Sequence, residues 1–211
     1  MRIIKALGRT PVERVFARLE GNFGLTPSMQ RCIGVLVVAW GIFECNLESI
    51  IWTLSGKNPT GAKPTTDAKP VSDWVKRFRE ITAKMHPRIA EVGALTCDAA
   101  DDLQVFRNAI VHGWVIPPEV GGPAFISNPT WFREKRKRET TDAHISDITL
   151  NMAIECIDTL TESIVRISGA AVDQIAFDAR LPADFSKKVR AAQSAAHELR
   201  HLAAMMNHEK Y

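Results

Sequence analysis

Residues 101–113, with the sequence DDLQVFRNAIVHG, predict the end of an amphipathic helix. Successive side chains on a helix turn by about 100°, so Gln104, Asn108 and His112 share one side of it. The opposite side is formed by apolar residues, namely Val92, Leu95, Ala99, Leu103, Phe106 and Ile110. A helix with this pattern has a buried back and a polar front, which is typical of a helix packed in a bundle.

The polar front carries three residue types that handle phosphate groups. Arg107 supplies a permanent cation for phosphate oxygens, and Asn108 supplies an amide for hydrogen bonding. His112 supplies an imidazole that can exchange a proton near neutral pH. A structural explanation stands beside this one. A histidine in the last helical turn complements the helix dipole, and Gly113 after it can adopt the left-handed conformation that ends many helices.

The spacing of Arg107, Asn108 and His112 resembles the signature of HEPN domains (higher eukaryotes and prokaryotes nucleotide-binding). In that signature an arginine, often followed by a polar residue, comes about four to six residues before a histidine. The family is a helical bundle that commonly dimerises and brings two copies of the motif together. Many members cleave RNA without a metal, while others bind or scaffold. The resemblance therefore implies that Arg107, Asn108 and His112 are the catalytic residues of a site shared by two protomers.

The resemblance also implies a mechanism. His112 would assist the 2′-hydroxyl of RNA or protonate the leaving 5′-oxygen, and Arg107 would stabilise the charge that develops on the phosphorane. Asn108 would fix the phosphate or the imidazole. The product would be a 2′,3′-cyclic phosphate, and no metal ion or cofactor is expected. A toxin subgroup of the family carries a tyrosine two positions after the histidine. Trp114 stands there in this chain, so we expect no regulation by tyrosine modification at that position.

The composition is that of an ordinary soluble globular protein. The chain has 211 residues, of which 45% are hydrophobic and 24% charged, and it can bury a full core within one domain. Its net charge of +3 permits a nucleic-acid partner without requiring one. The scattered cysteines show no zinc spacing, and residues 1–9 have no sustained apolar run for a signal peptide. The longest apolar run, residues 32–43, is too short to cross a bilayer, so we expect a cytoplasmic protein without membrane contact.

Outside two loops rich in proline and glycine, the chain shows continuous helical periodicity. We therefore predict an all-α fold, a bundle of five to six helices. The expected helices span about residues 10–20, 27–54, 71–85, 87–112 and 147–177, and a last one begins at 182. In this prediction residues 1–211 form a single HEPN-like domain, with a loop insertion at 114–145 and a C-terminal heptad-like helix at 182–211. Within the insertion, runs at 124–127 and 139–141 can pair as a short β-hairpin.

The loop insertion also carries a cluster of basic side chains. They are Arg133, Lys135, Arg136, Lys137 and Arg138, and Trp131 precedes them. Because the insertion leaves from the helix end that holds His112, we interpret it as a lid that binds RNA phosphates while an aromatic ring stacks on an unpaired base. The alternative is a solvated surface turn.

Two features of the long helices each have two explanations. Glu44 on the first long helix either lies on the solvated side or faces the Arg107 helix and orients its guanidinium. The resemblance favours the second, because bundles of this type often carry an acidic residue there. In the last helix, apolar residues between 185 and 206 recur in steps of four and three. That seam suits packing against the chain's own helices or a dimer contact.

These observations lead to three hypotheses. The first is a metal-independent endoribonuclease that acts on RNA as a homodimer, with an antitoxin or regulatory protein as a further partner in a toxin–antitoxin or phage-defence system. The second is a non-catalytic RNA-binding or defence partner module that keeps the bundle and the basic loop. The third is a structural helical dimer in which His112 only caps its helix.

Overall fold

The first helices begin at residues whose side chains satisfy free backbone N–H groups. In the computed structural model, Thr10 Oγ1 accepts a hydrogen bond from Glu13 N (3.2 Å), and Glu13 Oε2 accepts one from Thr10 N (2.6 Å). Thr26 Oγ1 likewise accepts a hydrogen bond from Met29 N (3.1 Å). Each such cap stabilises its helix by about 1 kcal/mol. A proline follows each of the two threonines in the first turn, where its missing N–H costs nothing.

The structure describes residues 10–58, 60, 64, 66–116, 122–127, 141–172 and 177–203. Its elements are, in chain order, α1 (Pro11–Phe23), α2 (Pro27–Leu54), α3 (Val71–Thr82), α4 (Pro87–His112), β1 (Trp114–Ile116), β2 (Ala124–Ser127), β3 (Thr141–His144), α5 (Asp147–Val172), α6 (Phe177–Arg180) and α7 (Phe185–Leu202). The strands form one antiparallel sheet in the order β1-β2-β3. The prediction of a mostly helical bundle with a short hairpin is confirmed.

Three details can be compared with the prediction. The described part of the fifth helix reaches Val172, and the helical turn α6 spans Phe177–Arg180, past the predicted end near residue 177. The described part of the strand that pairs with β2 is Thr141–His144, which shares Thr141 with the predicted run at 139–141. A third strand, β1, was not predicted. Its three residues are too few to show an alternating pattern, and pairing with β2 is what makes them a strand.

The hydrophobic core lies where α2, α4, α5 and α7 pack together. The helix α2 packs mainly on α5, and α4 packs on both α5 and α7. The largest side chains with less than 2% of their surface exposed include Trp40, Phe43, Phe106 and Ile157 on these helices and Phe78 on α3. Burying one such side chain contributes roughly 1.5–3 kcal/mol, so the packing of these side chains stabilises the bundle.

The heptad seam of the last helix is used inside the chain. Its residues Phe185, Val189, Ala192, Ala196, Leu199 and Ala203 are all buried, and the helix packs on α4 and α5. The small alanines allow the close approach of α7 to these helices. This seam is therefore covered and is not available for a dimer contact along its described length, while Met206 lies outside the described residues.

Two of the four cysteines behave as small hydrophobic residues. Cys97 and Cys156 are buried and free. Burial raises the pKa of the Cys97 thiol to about 12 and that of Cys156 to about 11, so both stay protonated and unreactive near neutral pH.

The helix α2 leaves much of its apolar surface uncovered. Val35, Val37, Val38 and Ile42 are between 40% and 63% exposed. Of the described helices, α2 is long and apolar enough to cross a membrane by the criteria of length and composition alone. The helix α1 has no buried residue, and its apolar residues Val12, Val15 and Phe16 are also exposed. Large apolar surfaces of this kind usually mark a contact with a partner.

Candidate functional site

The predicted motif occupies the last two turns of α4. On the buried side of these turns, Leu103, Phe106 and Ile110 have at most 3% of their surface exposed. On the other side, Arg107 and Asn108 are half-buried and His112 is exposed. The predicted buried back and polar front of this helix are therefore both present.

Arg107 lies at the centre of a small network between α4 and α2. Its Nη1 donates a hydrogen bond to Asn108 Oδ1 (2.9 Å), and its Cζ lies 5.9 Å from the centroid of the Trp40 ring. A guanidinium at this distance from an indole face is attracted by the ring's quadrupole. Trp40 Nε1 in turn donates to Glu44 Oε1 (2.6 Å).

Glu44 supports the arginine through the indole. One of its two explanations was that it faces the Arg107 helix and orients the guanidinium; in the structure the hydrogen bond of its carboxylate goes to Trp40 Nε1. No ion pair joins it to Arg107 in the part of the chain that the structure describes. The carboxylate therefore fixes the ring on which Arg107 lies and leaves the positive charge of that arginine unneutralised.

The hydrogen-bonding capacity of Arg107 is only partly used. Its Nε is buried and has no hydrogen-bond partner among the described residues. An unsatisfied buried donor costs about 1–3 kcal/mol. A neutral amide is the only hydrogen-bond acceptor of this side chain in the described structure. Arg107 is therefore an uncompensated, half-buried cation, which is the kind of group that an anion stabilises.

His112 is exposed one helical turn beyond Asn108. In the described structure, the oxygen of Asn108 accepts from Arg107, and no hydrogen bond joins the amide to the imidazole. No hydrogen bond from His112 to a carbonyl of the last turn is present in the same region either. The imidazole is therefore available to a ligand, and a role as helix cap would rest on charge alone.

Gly113 does not adopt the predicted left-handed conformation. Its φ of −81° and ψ of 161° are extended, so α4 passes directly into β1. A glycine is required for a different reason. A Cβ at this position would lie 2.0 Å from the carbonyl oxygen of Ala109 and 3.0 Å from the Cβ of Phe125. This close approach lets the sheet pack against the end of the motif helix.

The strands β2 and β3, which flank the basic loop in the sequence, belong to the sheet that follows α4. The predicted RNA-binding residues, Trp131, Arg133, Lys135, Arg136, Lys137 and Arg138, lie outside the described residues. Their flanking strands are described. Trp114, two residues after His112, pairs with Ile126, and Ile126 pairs with Asp142. The last residue of β2, Ser127, and the first described residue of β3, Thr141, therefore lie at the end of the sheet that is nearer to His112.

Trp40 was not among the predicted site residues. An indole and a carboxylate four residues apart on α2, Trp40 and Glu44, form a helical pair that can hydrogen-bond. That spacing is the signal that was available. What it could not show is that Arg107, on another helix, lies over the ring.

Comparison with protein-family models, with curated proteins and with solved structures finds no match for this chain.

Proposed function

We propose that the protein is a metal-independent endoribonuclease of the HEPN type that acts as a homodimer. The observation that carries this proposal is the arrangement at the end of α4. Arg107 is a half-buried cation without a carboxylate partner in the described structure, held by Asn108 and Trp40, and His112 is exposed one turn further on. These groups supply a phosphate-binding charge next to a group that can exchange protons near neutral pH.

In this proposal the scissile phosphate binds at Arg107. Stacking on Trp40 and the bond to Asn108 hold the guanidinium in place before the substrate arrives. Such pre-organised charge stabilises a phosphorane without a cost of reorientation during the reaction. Because the oxygen of Asn108 accepts from Arg107, the amide nitrogen remains to donate to a phosphate oxygen.

His112 then transfers the protons. One imidazole takes the proton of the 2′-hydroxyl while the 2′-oxygen forms a bond to phosphorus. The bond from phosphorus to the 5′-oxygen breaks, and a protonated imidazole gives its proton to that oxygen. The products are a 2′,3′-cyclic phosphate and a 5′-hydroxyl. The two roles need two protonation states of histidine, and a homodimer provides one imidazole for each.

Exposed apolar side chains surround the site, and we propose that a second copy of the chain covers them. Val105, Val111 and Trp114 lie on or just after the motif helix and are 36% to 61% exposed. On α2, Val37 and Val38 are exposed close in sequence to Trp40. On the same helix, positions 35, 38, 42 and 45 are all exposed. They are separated by steps of three and four, which is the spacing of a helix–helix seam. A two-fold dimer would double Arg107 and His112 at no cost in sequence.

The decisive experiment is cleavage of a panel of unstructured RNAs and tRNAs in excess EDTA. We expect the wild type to cut and to leave cyclic phosphate ends, and we expect Arg107→Ala and His112→Ala to cut at least about 100-fold more slowly. The matched controls are Arg190→Ala, an arginine in an exposed ion pair on α7, and His144→Ala on β3. Both controls should cut as the wild type does. Equal rates for the wild type and the two site variants would refute the assignment.

The dimer is tested separately by placing a charge on α2. Val38→Glu should yield a monomer in light scattering and lower the cleavage rate, whereas Val165→Glu, on an exposed face of α5, should leave the dimer intact. A wild-type protein that is monomeric at micromolar concentration contradicts the shared site. Recovery of the wild type in the membrane fraction would instead assign the apolar surface of α2 to a bilayer.

A non-catalytic RNA-binding or defence partner module is the second candidate function. It is favoured by the fact that no described side chain orients His112 for proton transfer, although catalytic hydrogen bonds often form only in the substrate complex. In this case the wild type would bind RNA without cutting it, and Arg107→Ala would weaken binding while His112→Ala would not.

A further inference from the structure

A buried carboxylate on α4 meets two histidines of α7, away from the site described above. Asp102 is 6% exposed, and its Oδ1 accepts a hydrogen bond from Arg200 Nη1 (2.6 Å). Its other oxygen, Oδ2, lies 3.1 Å from His197 Nδ1. A buried carboxylate at that distance accepts a hydrogen bond from Nδ1–H, which leaves the lone pair of the neutral His197 ring on Nε2.

The second histidine of α7 faces that lone pair. Nε2 of His201 lies 3.0 Å from Nε2 of His197, and the two rings are nearly perpendicular, at 87°. The two residues are one helical turn apart and therefore neighbours on the same face of α7. The side chain of His197 is 56% exposed and His201 is also exposed, so the pair lies at the protein surface.

We propose that His197 and His201 bind one divalent transition metal ion of the zinc class through their Nε2 atoms. Metal–nitrogen bonds of about 2.0–2.1 Å fit two nitrogens that are 3.0 Å apart with an angle of about 95° at the metal. A separation larger by a few tenths of an ångström would reach the tetrahedral angle. Imidazole nitrogens suit Zn²⁺, Ni²⁺ and Cu²⁺.

Asp102 completes the arrangement as a positioning residue. A histidine that ligates a metal generally donates its other ring N–H to a carboxylate, which fixes the tautomer and strengthens the ligand. The 3.1 Å contact between Asp102 and His197 has this geometry.

The described residues contain no cluster of three or more ligand-type side chains that could hold a metal ion. The ion would therefore take its other ligands from solvent or from a bound molecule. With two protein ligands it would bind reversibly.

The test uses the full-length protein, stripped with EDTA and dialysed, and titrated calorimetrically with Zn²⁺ or Ni²⁺ at pH 7.5. The wild type should bind one equivalent of metal per chain at this site. His201→Ala should lose it, because a single imidazole remains. Asp102→Asn should weaken binding by about 10- to 100-fold, as the loss of a carboxylate behind a metal-bound histidine does. His144→Ala is the matched control and should bind as the wild type does.

The exposed position of His201 keeps the test decisive, since its replacement leaves the core untouched and circular dichroism can verify the fold. Equal affinity of His201→Ala and the wild type, or a wild type that binds neither metal, overturns the proposal. RNA cleavage that resists EDTA would leave it intact, because the ribonuclease site uses Arg107 and His112.

Discussion

The two faces of α4 differ in how well their charged side chains are partnered. On the face that meets α7, the Asp102 carboxylate is buried and receives hydrogen bonds from two partners, His197 and Arg200. On the face that meets α2, Arg107 is half-buried and has one neutral hydrogen-bond partner and an indole. A compensated buried charge stabilises the native packing of its own chain. An uncompensated one lowers stability and is retained where a ligand of opposite charge binds.

The largest expected effect is on activity at the α2 face. Arg107→Ala should lower the rate of RNA cleavage by about 10²–10³-fold, the usual loss when a pre-organised transition-state donor is removed. It should change the free energy of unfolding by less than about 1 kcal/mol, because the variant also removes an unsatisfied buried N–H. Single-turnover cleavage and urea unfolding measure the two quantities.

Arg107→Lys sharpens this prediction. It keeps the charge but not the planar group that stacks on Trp40 and binds a phosphate through two N–H groups. A lysine variant with full activity would show that only the charge matters. A large loss of stability in either variant would mean that Arg107 belongs to the fold, like Asp102, and the contrast between the two faces would fail.

The next effect is on stability at the α7 face. Asp102→Ala should lower the free energy of unfolding by about 2–3 kcal/mol. This loss is smaller than the loss expected for a fully buried ion pair, because the side chains of His197 and Arg200 keep contact with solvent. For a chain of this size, the melting temperature would fall by roughly 2–4 °C for each kcal/mol. The control is Asp98→Ala, a half-exposed carboxylate paired with Arg79, which should cost less than about 1 kcal/mol. Similar losses for the two variants would contradict the burial argument.

Helix periodicity predicted the buried and polar sides of α4, but not the partners that distinguish Asp102 from Arg107. The steps of three and four that place Leu103, Phe106 and Ile110 inside also place Asn108 and His112 outside, and that relation depends only on helix geometry. Periodicity does not say which helix covers which face. The contacts of Trp40 with Arg107 and of His197 with Asp102 join helices far apart in the chain, so no local pattern encodes them.

Gly113 shows how a local preference can be overridden. A glycine after a helix favours the left-handed conformation, and the sequence alone pointed to it. Pairing of β1 with β2 instead requires an extended residue there, and the approach of Phe125 leaves no room for a side chain. The need for a glycine at this position therefore comes from the tertiary structure and not from the local preference.

Gly113→Ala tests that reason with a smaller effect. The added methyl group would meet the carbonyl oxygen of Ala109 at 2.0 Å, so the backbone between α4 and β1 must shift. We expect a loss of about 1–2 kcal/mol in the free energy of unfolding and a lower cleavage rate, because the shift moves His112. Gly21→Ala is the control, since a methyl group there meets nothing within 4 Å. Thermal unfolding and cleavage rates of both variants decide the matter, and two equally stable proteins would exclude the close approach.

The smallest effect concerns Glu162 on α5, a second carboxylate that has cationic partners. One of these partners, Lys188, lies on α7, so the ion pair links the two helices. The hydrogen bond from Lys188, together with a second from Arg166, lowers the pKa of Glu162 below its ordinary value. A lowered folded-state pKa contributes stability above the ordinary pKa of glutamate, and that contribution is lost as the pH falls through the folded value. Glu162→Gln should therefore be less stable than the wild type near pH 7, and the difference should vanish in acid.

Urea unfolding at about pH 7 and about pH 3 measures this difference, with Glu155→Gln as the control, an exposed carboxylate on the same helix. The effect should be small, because the side chain of Lys188 is 52% exposed and solvent screens the pair. A difference that stays constant with pH would assign the loss to packing rather than to charge. In that case the surface partners of Glu162 would add no stability to the protein. Burial of the carboxylate would then be the feature that makes the partners of Asp102 stabilising.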